Sequence, residues 1–248
     1  MTELHPYHII QIDETDSTNN YLKFLSDKQE VEEYTVVTSQ FQNAGKGQRG
    51  NSWESDKGKN LLFSILLRPS FLKVRDQFIL SQIISLSVKE ELDNYVTHIS
   101  IKWPNDIYWK QKKICGILIE NTLQGDYIEQ SIIGAGINVN QETFISNAPN
   151  PVSLRQITNE QYDCNILLKG ILNRLISYYK EIKTQGYISI ETHYKDSLFR
   201  KEGFFRYRDK DGEFTAQILD VDSTGTLFLE DKNGRLRKYL FKEVSFIL

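Results

Sequence analysis

Cysteine is scarce in this sequence, long apolar runs are missing, and neither sign of charge dominates. Only two cysteines, Cys115 and Cys164, occur among the 248 residues. Two cysteines so far apart form neither a metal-binding pattern nor a disulfide framework. The formal net charge is -3 at pH 7, which gives no indication of a dedicated DNA-binding surface. We therefore expect no structural disulfide and no DNA partner.

The sequence also lacks the signals of export and of membrane insertion. Residues 1–12 contain no basic stretch followed by an apolar core, so they do not predict a signal peptide. No apolar run reaches the length that a membrane-spanning helix needs. The expected location is the cytoplasm, without contact to a membrane.

Periodicity divides the chain into a large α+β part and a small β part. A capped helix is expected after Ser17, and helical spacing of apolar residues predicts further helices at 76–96 and 167–182. Strands are predicted at residues 34–40, 60–68, 99–103, 106–109, 114–121 and 127–135. From about residue 204, short strand-like runs alternate with turn signals. This pattern predicts a large domain at 1–200 and a small β-barrel or sandwich at 201–248.

Residues 43–59 form a long polar segment with four glycines, in which Trp53 is nearly the only apolar residue. The stretch 45–50 matches G-x-G-x-x-G, but no helical periodicity follows it, so a dinucleotide-binding fold is not predicted. Glycines let backbone N–H groups approach anionic oxygens, and Lys46 and Arg49 add positive charge. The segment thus favours a phosphate-bearing ligand, with a loop of no function as the alternative.

Residues 102–106 read K-W-P-N-D and end a predicted strand. Proline stops the strand there, which leaves Lys102 as a fixed cation suited to stabilising a carbonyl or phosphoryl oxygen. Asn105 and Asp106 either have a functional role in the ligand site or are only structural residues of the turn. A second glycine-containing turn ends at Asn138, which either binds a ligand ring or caps that turn.

Taken together, four ordered segments resemble the biotin protein ligase family. They are S-T-N at 17–19, the glycine loop up to Trp53, K-W-P-N-D followed by residues 113–120, and G-A-G-I-N at 134–138. The resemblance covers nearly the whole chain. It implies an α+β fold, namely a class II synthetase-like catalytic domain with a mixed sheet and flanking helices, plus an SH3-like C-terminal barrel. Ser17 lies too close to the first residue to leave room for the N-terminal DNA-binding domain that some family members carry. The sequence therefore resembles the monofunctional type, which lacks that domain.

The resemblance also implies roles for individual residues. Lys102 and Arg49 are the expected catalytic cations. The residues expected to bind biotin are Ser17, Thr18, Asn19, Gln42, Gly45, Lys46, Gly47, Gln48, Lys102 and Gly116. Those expected to bind the nucleotide are Arg49, Trp53, Asn105, Lys113 and Asn138. The family loop usually reads G-R-G-R-x-G, so Lys46 and Gln48 depart from it, and Arg49 is the neighbouring cation that could replace the second arginine.

The implied activity is that of an ATP-dependent ligase. Biotin and Mg²⁺-bound ATP form biotinyl-5′-AMP, and biotin then passes to one lysine of a biotin carboxyl carrier protein or carrier domain. A lipoate protein ligase or related acyltransferase of the same fold is the nearest alternative. A ligand-binding transcriptional regulator and an inactive scaffold are more distant ones. The Mg²⁺ ligands, the identity of the carrier, and the choice between monomer and homodimer stay open.

Overall fold

A mixed β-sheet forms the centre of the larger part of the fold. The computed structural model describes residues 6–47, 52–146 and 150–248. The sheet consists of β1 (His8–Thr15), β2 (Thr35–Gln42), β3 (Leu61–Leu67), β4 (Ile99–Lys102), β5 (Asp106–Trp109), β6 (Lys112–Gln124) and β7 (Tyr127–Ile137). Its seven strands follow the order β1-β2-β3-β7-β6-β5-β4. Only β1 and β2 are parallel among these neighbours, and β3, with its apolar sequence, is buried along its whole length.

Helices cover both faces of this sheet. They are α1 (Thr18–Lys28), α2 (Phe78–Leu92), α3 (Leu154–Thr158), α4 (Cys164–Thr184) and α5 (Ile188–Asp196), with a short 3-10 helix at Val74–Asp76. Side chains alternate along β3, so Phe63 and Ile65 join the core with α2 and α4, whereas Leu66 packs with Leu22 of α1 on the opposite face. Within the described ranges, no helix has both the length and the apolar character required to cross a bilayer.

A second, antiparallel sheet follows near the end of the chain. It contains β8 (Phe205–Asp209), β9 (Gly212–Val221), β10 (Leu227–Asp231), β11 (Leu236–Tyr239) and β12 (Ser245–Phe246), in the order β11-β10-β9-β8-β12. We refer to residues 205–248 as the C-terminal unit. Its core residues Tyr207, Leu229 and Phe246 belong to the same apolar cluster as α2 and α4. The predicted fold class is confirmed, while the division of domains at residue 200 stays a prediction.

Polar contacts also join the C-terminal unit to the larger part. Trp103 donates from Nε1 to the carbonyl of Gly225 at 3.0 Å. Arg200 donates from Nη2 to the carbonyl of Ile247 at 2.9 Å, and its guanidinium lies over the rings of Phe199 and Phe205. These contacts attach the larger part to the C-terminal unit at two places, the turn between β9 and β10 and the end of β12.

Candidate active site

A cleft with a volume of about 760 Å³ lies over β6 and β7 and borders the C-terminal unit. Many residues predicted from the sequence line it: Ser17, Thr18, Asn19, Gln42, Lys46, Gly47, Trp53, Lys102, Asn105, Lys113 and Gly116. Gly45 and Asn138 lie next to this lining instead of within it. Gln48 and Arg49 fall outside the described residues. The dispersed segments of the sequence therefore converge on one site.

Two glycines on neighbouring strands form part of the cleft floor, with the indole of Trp53 directly above them. Gly116 on β6 and Gly136 on β7 are register partners. A Cβ atom on Gly136 would lie 2.5 Å from Nε1 and Cε2 of Trp53, and one on Gly116 would lie 2.8 Å from Cζ3. Both distances are too short for real contacts, so only glycine allows the indole to approach the sheet this closely.

The stem of the glycine loop holds Trp53 in this position. The backbone N–H of Trp53 donates to the carbonyl of Gly45 at 2.8 Å, and Lys46 forms a β-bridge with Ser52. Lys46 also donates from Nζ to Oδ1 of Asn20 on α1, at 2.7 Å. Lys46 is therefore anchored to α1 by a hydrogen bond.

A hydrogen-bond network fixes the wall of the cleft at the start of α1. Oε1 of Gln42 accepts from the backbone N–H of Thr18 at 2.8 Å and from its hydroxyl at 3.0 Å. The Ser64 hydroxyl lies 2.7 Å from Thr18 Oγ1 and 2.6 Å from Asn19 Oδ1. Asn19 in turn donates from Nδ2 to Glu120 at 2.7 Å. Because Thr18, Asn19 and Ser64 are buried, these bonds determine the shape of the wall.

Sequence reasoning missed Ser64 and Glu120. Ser64 is the single polar residue of β3, whose other members are all apolar. A hydroxyl at a buried position of such a strand requires a hydrogen-bond partner. That requirement is the signal that could have identified Ser64 as part of the site.

Lys102 occupies the end of β4 and projects into the cleft. It pairs in register with Asp106 across the K-W-P-N-D turn, in which the Trp103–Pro104 peptide is cis. Its Nζ lies 3.3 Å from the hydroxyl of Tyr108 and 5.4 Å from the ring centroid of Phe246. The ammonium is therefore held between a strand of the large sheet and β12 of the C-terminal unit.

Further charged side chains lie near Lys102 in the cleft. Lys113 forms a salt bridge with Asp106, at 2.7 Å between Nζ and Oδ1, and its Nζ lies 5.9 Å from the ring centroid of Trp53. Burial lowers the pKa of Lys102; the charge of Asp106 opposes this, and Lys113 and Arg200 lower the pKa further. A cation that is partly desolvated in this way interacts strongly with an anionic oxygen.

Asn138 borders a recess of about 30 Å³ that it shares with Trp53 and Lys113. The side chain of Asn138 is buried and donates from Nδ2 to the carbonyl of Val152 at 3.1 Å. Its Oδ1 has no hydrogen-bond partner among the described residues, and the same is true of Nε1 of Trp53. A ligand that supplies partners for these two atoms would remove the cost of leaving them unpaired.

We call this recess and the neighbouring part of the cleft the Trp53 end, and the part around the ammonium the Lys102 end. The C-terminal unit contributes Phe241, Lys242, Val244, Ser245 and Phe246 to the lining. Sequence reasoning assigned no site residue to this unit, because these positions carry no motif. Tertiary contacts place them in the cleft, among them those of Phe241 with Trp103 and of Phe246 with Lys102.

The chain is similar in sequence to known proteins. The model of the biotin/lipoate A/B protein ligase family matches residues 12–138. The bifunctional ligase/repressor BirA of Bacillus subtilis is 30% identical over 245 residues, which are 96% of this chain and 74% of that protein. The biotin–[acetyl-CoA-carboxylase] ligase of Paracoccus denitrificans is 25% identical over 228 residues, covering 89% of this chain and 93% of that protein.

A solved structure extends the similarity to the fold. The biotin protein ligase from Aquifex aeolicus in complex with biotin and ATP superposes with a TM-score of 0.79 and 27% sequence identity. The alignment covers 96% of this chain and 97% of that chain, so it includes both sheets.

Proposed function

This chain belongs to the biotin/lipoate A/B protein ligase family, and on that premise we propose that it joins biotin to a carrier protein at the expense of ATP. It forms biotinyl-5′-AMP and then transfers biotin to a specific lysine of a biotin carboxyl carrier protein. The observation that carries this proposal is the position of Lys102, a partly desolvated cation at the end of a strand that projects into the cleft. Relatives named as biotin ligases over nearly the whole chain favour biotin over lipoate.

In the first half-reaction, a carboxylate oxygen of biotin bonds to the α-phosphorus of ATP, and the bond to pyrophosphate breaks. Carboxylate and phosphate are both anions, so a fixed cation between them offsets their repulsion and stabilises the charge that develops. We assign this task to Lys102. Arg49, which lies outside the described residues, is proposed as a second cation.

In the second half-reaction, the amine of the carrier lysine attacks the carbonyl of the mixed anhydride. A C–N bond forms, AMP leaves with the electron pair of the broken C–O bond, and the nitrogen loses a proton. Lys102 remains beside the carbonyl and stabilises the oxyanion. The walls of the cleft keep water away from the anhydride until the carrier arrives.

The same geometry supports a separation of the two substrates along the cleft. We place biotin against Thr18, Asn19 and Gln42, whose side chains already form a fixed wall. The adenine is assigned to the Trp53 end, where Trp53 offers an aromatic face. There the unpaired Oδ1 of Asn138 can accept from the exocyclic amine of adenine.

Mg²⁺ is treated as part of the ATP substrate. Among the residues that the structure describes, no three His, Cys, Asp or Glu side chains lie close enough together to hold a metal ion. We expect the ion to bind oxygens of the triphosphate, since Mg²⁺ in nucleotide sites commonly takes only one or two protein carboxylates.

An intact-mass assay tests the proposed function. The purified protein is mixed with an apo biotin-carrier domain, ATP and Mg²⁺, with biotin or lipoate in parallel. We expect a biotin-sized mass increase on the carrier that requires ATP and is absent when the acceptor lysine of the carrier is replaced by arginine. An increase with lipoate alone, on a lipoate carrier, would contradict the choice of biotin, and no increase with either acid would contradict ligase activity.

A further inference from the structure

The Trp53 end is built where two distant segments of the chain meet. One is the stem, residues 52–56, which follows the glycine loop and carries Trp53. The other is residues 141–146, which follow β7 and reach the lining at Ser146. Both segments therefore contribute residues to the lining of the Trp53 end.

Near the sheet, buried amide side chains join the two segments. Gln141 is fully buried, and its Oε1 accepts from the backbone N–H of Asp56 at 3.0 Å and from Nδ2 of Asn60 at 2.6 Å. Oδ1 of Asn60 accepts in turn from the backbone N–H of Val139 at 2.9 Å. Such a satisfied buried network holds its members in one arrangement.

Farther from the sheet, the carboxylate of Glu54 continues this connection. Its Oε1 accepts from the backbone N–H of Ile145 at 2.8 Å, and its Oε2 accepts from the backbone N–H of Ser146 at 2.9 Å. Gln141 also donates from Nε2 to Oε1, at 3.4 Å. Each carboxylate oxygen thus binds one of two consecutive backbone N–H groups.

Apolar packing of the Ile145 side chain does not hold this segment in place. The side chain of Ile145 is 90% exposed, so the burial of this residue contributes little to the position of the segment. Bonds from N–H groups to a charged acceptor are stronger than those to a neutral one. The carboxylate therefore restrains residues 145 and 146 directly through these hydrogen bonds.

We propose that Glu54 is a positioning residue that holds residues 141–146 against the stem and so sets the width of the nucleotide end of the cleft. The inference rests on the proposed function, since the nucleotide is assigned to the Trp53 end. Glu54 acts through its hydrogen bonds to the backbone of Ile145 and to the backbone and side chain of Ser146, and it takes part in no bond-forming step. Without it, Ser146 moves away from Trp53, and a bound nucleotide loses one wall of its site.

Protonation does not release this contact near neutral pH. Partial burial raises the pKa of Glu54, but hydrogen bonds from Ser146 and Ile145 outweigh that effect and lower the pKa below its usual value. The contact is therefore a fixed part of the site at physiological pH.

The test compares Glu54→Gln and Glu54→Ala with the matched control Glu142→Gln. Glutamine keeps the shape of glutamate but turns an amide N–H₂ toward a backbone N–H, and alanine removes both acceptors. Glu142 lies in the same segment, more than half exposed and paired with Arg155, so its neutralisation leaves the Glu54 contact intact. Biotinyl-AMP formation is measured at varied ATP and at varied biotin.

We expect the KM for ATP to rise about tenfold in Glu54→Ala and less in Glu54→Gln, with the KM for biotin changed by less than about twofold. Hydrogen exchange at the amides of Ile145 and Ser146 is expected to accelerate in both variants. Glu142→Gln is expected to match the unmodified protein in all three measurements.

Opposite results overturn specific claims. An unchanged KM for ATP in Glu54→Ala, or an equal rise for both substrates, contradicts the role of Glu54. Unchanged exchange at residues 145 and 146 contradicts the restraint itself. If the unmodified protein forms no biotinyl-AMP, the proposed function fails instead, and the exchange measurement still decides whether Glu54 holds the segment.

Discussion

At the Lys102 end of the cleft the side chains are fixed by strand pairing and aromatic packing, whereas polar contacts between loops fix the Trp53 end. Lys102 belongs to β4, and its ammonium lies between Tyr108 and Phe246, which are both buried. Trp53 belongs to a loop stem, and the carboxylate of Glu54 attaches that stem to the facing segment. One end thus depends on the core of the fold and the other on a few hydrogen bonds.

This difference matches the two tasks of the cleft. Moving Lys102 requires disruption of a sheet and of a shared apolar cluster, which is a cooperative and costly change. Opening the Trp53 end requires the loss of a few hydrogen bonds, each of which contributes about 1 kcal/mol net, or about 1.5–3 kcal/mol where the acceptor is the Glu54 carboxylate. The cation is therefore held by the sheet and its core, and the Trp53 end, to which the nucleotide is assigned in our proposal, is the easier part to open.

The largest effect is expected when the Lys102 end loses its charge. Lys102→Met keeps much of the side-chain volume but removes the cation, so biotinyl-AMP formation is expected to fall by about 100- to 1,000-fold. The free energy of unfolding should fall little, because a partly desolvated charge is removed. Single-turnover kinetics and thermal unfolding measure the two quantities.

The exposed Lys112, the first residue of β6, provides the control for this substitution. Lys112→Met makes the same chemical change outside the cleft and is expected to leave the rate unchanged. Equal rates for Lys102→Met and Lys112→Met would refute the assigned role of Lys102.

A smaller effect is expected at the Trp53 end from a methyl group on the cleft floor. In Gly136→Ala the new Cβ would approach Trp53 to within 2.5 Å, so the indole must lift from the sheet. Nucleotide binding is then expected to weaken by about tenfold, since the aromatic face is displaced. Calorimetric titration with ATP measures this change, and titration with biotin alone serves for comparison.

The double variant Trp53→Ala/Gly136→Ala identifies the cause. If the methyl group acts by displacing the indole, Gly136→Ala should add no more than about twofold once Trp53 is already alanine. Full additivity of the two changes would show that the methyl group obstructs the ligand directly. It would contradict the claim that Gly136→Ala weakens binding by displacing the indole of Trp53.

The smallest effect concerns the pH dependence of the Lys102 end. Burial, augmented by Lys113 and Arg200 and opposed by Asp106, lowers the pKa of Lys102 below 10.5. Because the charged form is the active one, kcat/KM for adenylation should decline as the pH rises through this lowered value. Arginine stays charged at these pH values, so Lys102→Arg is expected to lose the alkaline decline while its maximal rate is lower.

Pyrophosphate exchange in the absence of a carrier measures this decline without interference from the titration of the acceptor lysine. An alkaline decline that persists unchanged in Lys102→Arg would assign it to another group.

The sequence predicted those parts of the fold in which local periodicity and burial agree. Residues 106–109 form β5 with the predicted bounds, and the apolar pattern of 167–182 corresponds to α4 (Cys164–Thr184). The predicted helix at 76–96 is shorter in the structure, because Val74–Asp76 form a 3-10 turn and α2 ends at Leu92. The edge strand β1 was missed, because half of its positions are exposed and its parallel pairing with β2 joins distant residues.

The same limit applies to the site. The motif residues at 17–19, 102–106 and 116 lie in one cleft, although their individual roles stay predictions. Phe246 and Glu54 carry no motif, and their relevance arises from tertiary packing and from hydrogen bonds to the backbone of a distant segment. Contacts of this kind cannot be inferred from one sequence, because any partner position along the chain is equally compatible with the pattern.

The absence of side chains at Gly116 and Gly136 affects which ligand shapes the cleft can bind. Paired strands usually present side chains to each other and to whatever lies above them, but this strip presents only peptide planes and the indole that covers them. A molecule that displaces Trp53 must cover the strip with its own surface. A planar group can lie there with full contact, whereas a branched or puckered group leaves gaps. The two glycines therefore favour the binding of planar groups over non-planar ones at this strip.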